Sequence, residues 1–125
     1  MPEGKYAGQE LRKYLRLETF FDVWYSVVGR PEETRKACCV DLTREGCKLV
    51  SHDSLPMGLE VELKMKIPSD PVPIFATGQV VWTSQQSADL FAAGLRIVQI
   101  QPLDRFKLLD YVCEEWLKMK REKKG

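Results

Sequence analysis

Leu59-Glu60-Val61-Glu62-Leu63-Lys64-Met65-Lys66-Ile67 alternates apolar and charged residues without a break. Period two with one wet face is the signature of a β-strand lying on a core. Pro68 stops the run, and Ser69-Asp70-Pro71 reads as a turn. Working outward, residues 17–28 are rich in aromatic and β-branched side chains, with Phe21, Val23, Tyr25 and Val27 on one face. Gly29 and Pro31 end that run, and a charged loop follows. Residues 36–42 and 46–51 read as two short strands, the first carrying Ala37, Cys39 and Val40 as its apolar residues. Residues 74–83 and 91–99 read as two more, joined by the polar stretch 84–89. Strands this closely spaced, with no helix between them, predict an all-β fold, an antiparallel sandwich or barrel.

The period changes after Pro102. Leu103, Phe106, Leu109, Cys113, Trp116 and Met119 recur every three or four residues, which predicts one face of a helix over 102–121. Such a helix could cover one end of a small barrel, with Phe106 and Trp116 as its anchors. The whole reads as one domain over residues 1–125: a mobile N-terminal segment (1–16), a barrel (17–101) and the helix. That length is ordinary for a single domain and long enough to bury a core without disulfide or metal.

A formal net charge of +1, with 44% hydrophobic and 30% charged residues, describes a soluble globular chain. There is no global field to draw in a nucleic-acid polymer, so any anion site must be built locally. No apolar run reaches the roughly 20 residues a membrane helix needs. Residues 1–10 lack the apolar centre of a signal peptide. Cys38, Cys39, Cys47 and Cys113 form no C-x-x-C pair and read as reduced thiols of a cytoplasmic protein. With a single histidine, His52, neither a zinc site nor a hydrolytic triad is expected. A Walker A loop and a G-x-G-x-x-G are also missing. The expectation is a protein without catalytic activity, cofactor or metal.

Two clusters remain. Arg12-Lys13-Tyr14-Leu15-Arg16 is an R-x-x-x-R ahead of the first strand. Asp41-Leu42-Thr43-Arg44-Glu45-Gly46 is a D-x-T-x-x-G between two short strands. Either alone reads as a solvated charged segment or an ordinary turn, in which Gly46 could supply a positive φ. Together, in this order and inside an expected six-stranded barrel, they make the sequence resemble the PilZ domain family. That family carries R-x-x-x-R followed by [D/N]-x-S-x-x-G. Gly78-Gln79-Val80-Val81-Trp82 and Ala93-Gly94-Leu95-Arg96-Ile97 look like two of its later strands. Threonine at position 43 stands where the family usually has serine.

The resemblance implies a six-stranded antiparallel split barrel with a C-terminal helix, and cyclic di-GMP as ligand. It assigns Arg12, Arg16, Asp41, Thr43 and Gly46 to the binding site, with Arg44 and Arg96 as additional candidates. Guanidinium groups suit this ligand because their planar fork grips phosphate or a purine edge and stacks on a base. A carboxylate at Asp41 can accept both guanine donors, the ring N–H and the amine. Trp24 and Trp82 read as barrel residues rather than stacking platforms. Leu11, where some relatives have a further arginine and hold a ligand dimer, favours one ligand per chain. The implied mechanism draws the N-terminal arginines onto the Asp41 turn and signals to a downstream protein partner in motility, exopolysaccharide or virulence control. The chain itself is expected to be a monomer or weak dimer. The alternatives are a PilZ-like protein-interaction module that binds no nucleotide and a small-barrel binder of RNA or single-stranded DNA. The near-neutral charge counts against the last.

Overall fold

The computed structural model describes residues 16–68 and 70–124. Six strands form in chain order: β1 (Arg16–Val27), β2 (Arg35–Thr43), β3 (Gly46–Ser51), β4 (Glu60–Met65), β5 (Ile74–Ser87) and β6 (Leu90–Ile100). Helix α1 (Pro102–Lys124) follows. All strand pairs are antiparallel, and the ring closes in the order β1-β2-β3-β6-β5-β4. Closure pairs every strand with two neighbours over part of its length.

Alternation does what period two requires. In β4 Val61, Leu63 and Met65 are buried while Glu60, Glu62 and Lys64 face solvent. Phe21, Val23 and Tyr25 of β1 are inward as expected, whereas Val27 is only partly buried and Ser26 is buried beside it. The strands β5 and β6 run further than expected. The polar residues 84–87 stay in β5, so the two strands extend together as a ribbon, paired as far as Ser87 with Leu90. Polar composition there marks a strand wet on both faces rather than a loop.

One irregularity decides the site. Cys39 pairs with Leu49 and Asp41 with Lys48, so Val40 is an extra residue in β2 relative to β3. Strict alternation from the buried Ala37 and Cys39 would aim Asp41 into the core. The bulge turns Asp41 outward and returns Leu42 to the inside, fully buried. The Cys39 thiol donates to the Asp41 carbonyl at 3.4 Å, satisfying a backbone group displaced by the bulge. A neighbouring Cys47 hydrogen bond and burial both push the Cys39 thiol's pKa up, which keeps it protonated and a donor.

Helix α1 packs on β1, β2 and β5; of its two expected anchors Trp116 packs on the core and Phe106 does not. Leu108, Tyr111 and Val112 are its buried residues, with Cys113, Trp116 and Met119 packed alongside. Tyr111 meets Phe21 edge-on, with centroids 6.1 Å apart, and its hydroxyl shares a 3.1 Å hydrogen bond with Thr19. Leu103 and Phe106 are exposed. The sequence places apolar residues on more than one face of this helix, and spacing by threes and fours fits two stripes. The Phe75 N–H bond to Asp104 at 3.2 Å and the Lys107–Asp70 pair at 3.6 Å fix its rotation. No described helix is long and apolar enough to cross a membrane.

Candidate functional site

The outer wall of β1, β2, β3, β6 and β5 carries one lateral row. Glu18 pairs with Asp41, Asp41 with Lys48, Lys48 with Gly94, and Gly94 with Trp82. A groove of about 340 Å³ lies along it, lined by Arg16, Asp41, Thr43, Gly46, Lys48, Trp82 and their neighbours. That is the size range of small-ligand clefts.

Arg16 was expected in a mobile segment outside the barrel. Instead it is the first residue of β1, Cα partner of Thr43. Its Nε donates to Asp41 Oδ2 at 2.6 Å, and its Nη2 pairs with the same oxygen. The hydrogen bond to Asp41, and then its charge, raise the Arg16 guanidinium above its usual pKa. Asp41's other oxygen, Oδ1, is buried and has no hydrogen-bond partner among the described residues. Buried acceptors are normally satisfied, so this orphan, on a residue that lines the groove, is an acceptor without its donor. Arg12 lies outside the described residues.

Thr43 shapes the turn. The amides of Glu45 and Gly46 donate to its Oγ1 at 3.2 and 3.1 Å, and its hydroxyl donates to Gly46 O at 3.3 Å. A hydroxyl has one proton and two lone pairs, so this one is fully used. Thr43 therefore positions the hairpin, and serine or threonine serves equally well.

Gly46 is not needed for a positive φ, which the structure gives to Gly29 and Gly58. It is needed because β6 runs against it. A Cβ here would overlap the Leu95 carbonyl oxygen. The obstacle is backbone, so Gly46→Ala is expected to cost about 1–3 kcal/mol, as overpacked sites do. Urea denaturation measures this. An unchanged midpoint would mean that β3 and β6 are not in this contact.

Three groove residues escaped the sequence reading or were assigned elsewhere. Trp82, read as a barrel residue, is 41% exposed and forms a wall of the groove. Its indole lies over Gly94, where a Cβ would occupy the same space, so Gly94 is the flat seat for the ring. Lys48 sits between Asp41 and Trp82, its ammonium 5.9 Å from the indole centroid. Outward alternation from Gly46 was the available signal for Lys48, and the Trp82–Gly94 pairing needed the register. Conversely, Arg44 and Arg96 do not line the groove. Arg96 instead donates to Gln79 Oε1 at 3.0 Å.

The groove thus offers an orphan carboxylate oxygen, a guanidinium, an ammonium and an indole face on one solvent-open wall. Solved structures with this architecture are numerous. The Bacillus subtilis inhibitor of motility MotI/DgrA superposes with a TM-score of 0.73 at 21% identity, covering 85% of this chain and 51% of its own. The chain therefore spans about half the length of that protein. The PilZ domain of YcgR from Escherichia coli, solved with c-di-GMP, gives 0.69 at 10% identity, covering 90% and 97%. The PilZ domain of CeSA from a cellulose-synthesizing bacterium gives 0.57 at 9%, covering 79% and 95%. At such identities the likeness is one of fold. Among curated protein sequences there is no significant match. The family model described as PilZ domain matches residues 10–114, a span that takes in the barrel, the Asp41 turn and most of the helix. Fold, strand order and matched span agree, and the chain belongs to the PilZ domain family.

Proposed function

We propose that this chain is a receptor for cyclic di-GMP, bound in the groove over Asp41, and that it transmits the signal without catalysis. The observation that carries the reading is the Asp41 carboxylate. It is turned outward by the Val40 bulge, anchored through Oδ2 by Arg16, and left with Oδ1 unpartnered among the described residues. Guanine's ring N–H and exocyclic amine are the donors that complete it, and adenine presents no such pair on that edge. Trp82 supplies a flat face for the base. Arg16 spends Nε and Nη2 on Asp41, which leaves its Nη1 hydrogens for a phosphate oxygen. Lys48 adds a second cation beside the groove.

Arg12, one R-x-x-x-R step before Arg16, would bring a further guanidinium over the bound ligand. Closure of that segment is the change a protein partner would sense. Ligand can drive it only through tighter binding to the closed form. Family membership supports this reading, as do neighbours solved with c-di-GMP.

Calorimetric titration tests it. Wild type is expected to bind cyclic di-GMP at micromolar or tighter affinity. Arg12→Ala and Arg16→Ala are each expected to weaken binding by roughly 10- to 150-fold, the worth of a charge-assisted hydrogen bond. Wild-type affinity in both variants would overturn the assignment. No binding by wild type, together with a retained protein partner, would select an interaction module that has lost its nucleotide.

A further inference from the structure

The groove over Asp41 has a neighbour. A second depression of about 540 Å³ lies on the other side of the Arg16–Asp41 pair and shares Arg16, Asp41 and Lys48 with the first. Its other walls are Glu18, Thr19, Phe20 and Val40. The two lobes repeat one set of parts. Each has an aromatic wall, Trp82 in the first and Phe20 in the second. Asp41 borders both, and the second adds a carboxylate of its own, Glu18. The cations lie between them.

Two features of the second lobe are costly in the free protein. Phe20 is 78% exposed, with its ring standing in water on a strand whose other outward residues are mostly polar. Glu18 is the direct cross-strand partner of Asp41. Like charges placed opposite each other destabilise a sheet. Among the described residues no ion pair or hydrogen bond relieves Glu18, and its charge reaches Arg16 only as the smallest influence on that guanidinium. An exposed aromatic and an unrelieved carboxylate, side by side next to a ligand groove, are the parts of a nucleobase site.

We propose that this lobe receives the second guanine of the cyclic dinucleotide, with Phe20 as the stacking face and Glu18 as acceptor for the ring N–H and amine. The inference rests on the ligand reading above and deepens it. With a base on each side, the sugar–phosphate ring crosses the shared strip where Arg16 and Lys48 stand. One nucleotide alone would fill one lobe. Two carboxylates, Asp41 toward one base and Glu18 toward the other, would demand guanine at both positions and reject a hybrid carrying one adenine.

The test uses the full chain and calorimetry with two probes, cyclic di-GMP and cyclic GMP-AMP. Phe20→Ala is expected to weaken cyclic di-GMP roughly 5- to 150-fold, the range for loss of one stacked base. Glu18→Gln is expected to weaken cyclic di-GMP by about tenfold, the worth of a hydrogen bond to a charged group, and cyclic GMP-AMP by less, so discrimination narrows. Phe20→Ala is expected to keep the wild-type melting temperature, and Glu18→Gln to keep or raise it, because repulsion from Asp41 is removed. A merely structural role would move melting and leave discrimination alone. If Asp41→Ala abolishes binding while Phe20→Ala and Glu18→Gln bind both probes as wild type does, the second lobe is overturned and the ligand reading stands. If wild type binds neither probe, both fall.

Discussion

Asp41→Ala is expected to lower affinity for cyclic di-GMP by at least 100-fold and to leave the fold almost as stable as before. The carboxylate would accept two hydrogen bonds from one guanine. Hydrogen bonds to a charged partner contribute about 1.5–3 kcal/mol each, so losing both costs roughly 3–6 kcal/mol of binding. Folding stability answers to different contacts. Asp41's ion pair is with Arg16, whose side chain is 69% exposed, and pairs with such an exposed partner contribute about 0–1 kcal/mol. Removing Asp41 also removes a charge opposite Glu18 and the desolvation of an orphan oxygen. Calorimetry and thermal melting on one variant separate the two quantities. A large loss of melting temperature with intact binding would show that Asp41 holds the hairpin and not the ligand.

Leu108→Ala is expected to cost about 2–5 kcal/mol, and Phe106→Ala to change stability by no more than about 0.5 kcal/mol. Both positions are large apolar residues in the first two turns of α1, and the sequence favoured Phe106, with Trp116, as the anchors. Leu108 is 1% exposed, within a cluster that includes β1 and β5 residues, whereas Phe106 is 67% exposed. Truncating Leu108 leaves a cavity that close-packed neighbours fill only partly. Urea denaturation followed by helical circular dichroism gives both values in one series. A larger loss for Phe106→Ala would mean that the helix is rotated by about half a turn from the packing described.

The difference between those two residues shows where sequence reading stops. A helix face is legible when one stripe is apolar. In α1 the exposed Leu103 and Phe106 extend a second stripe, and three- and four-residue spacing fits either. What selects Leu108, Tyr111 and Val112 is shape. Tyr111 finds the edge of Phe21 and the hydroxyl of Thr19, groups at least 90 positions earlier in the chain. The strands were easier. Val61, Leu63 and Met65 declare their own inward face, because alternation is a property of one strand considered alone.

The candidate site divides the same way. Sequence by itself determined that six strands and a helix would form. It also determined that Arg16, Asp41, Thr43 and Gly46 belong together, and through those motifs it pointed to the family. Tertiary structure decided which way Asp41 points, since only the register of β2 against β3 places the extra residue at Val40 and turns the carboxylate out. It decided why Gly46 is glycine, through the Leu95 carbonyl. It brought in Lys48 and Trp82 and left Arg44 and Arg96 aside. The physical reason is that a side chain's face follows from local periodicity, while its neighbours across the barrel follow from inter-strand register. Register is fixed when the ring closes, by pairings between residues as far apart in the chain as Gly46 and Arg96.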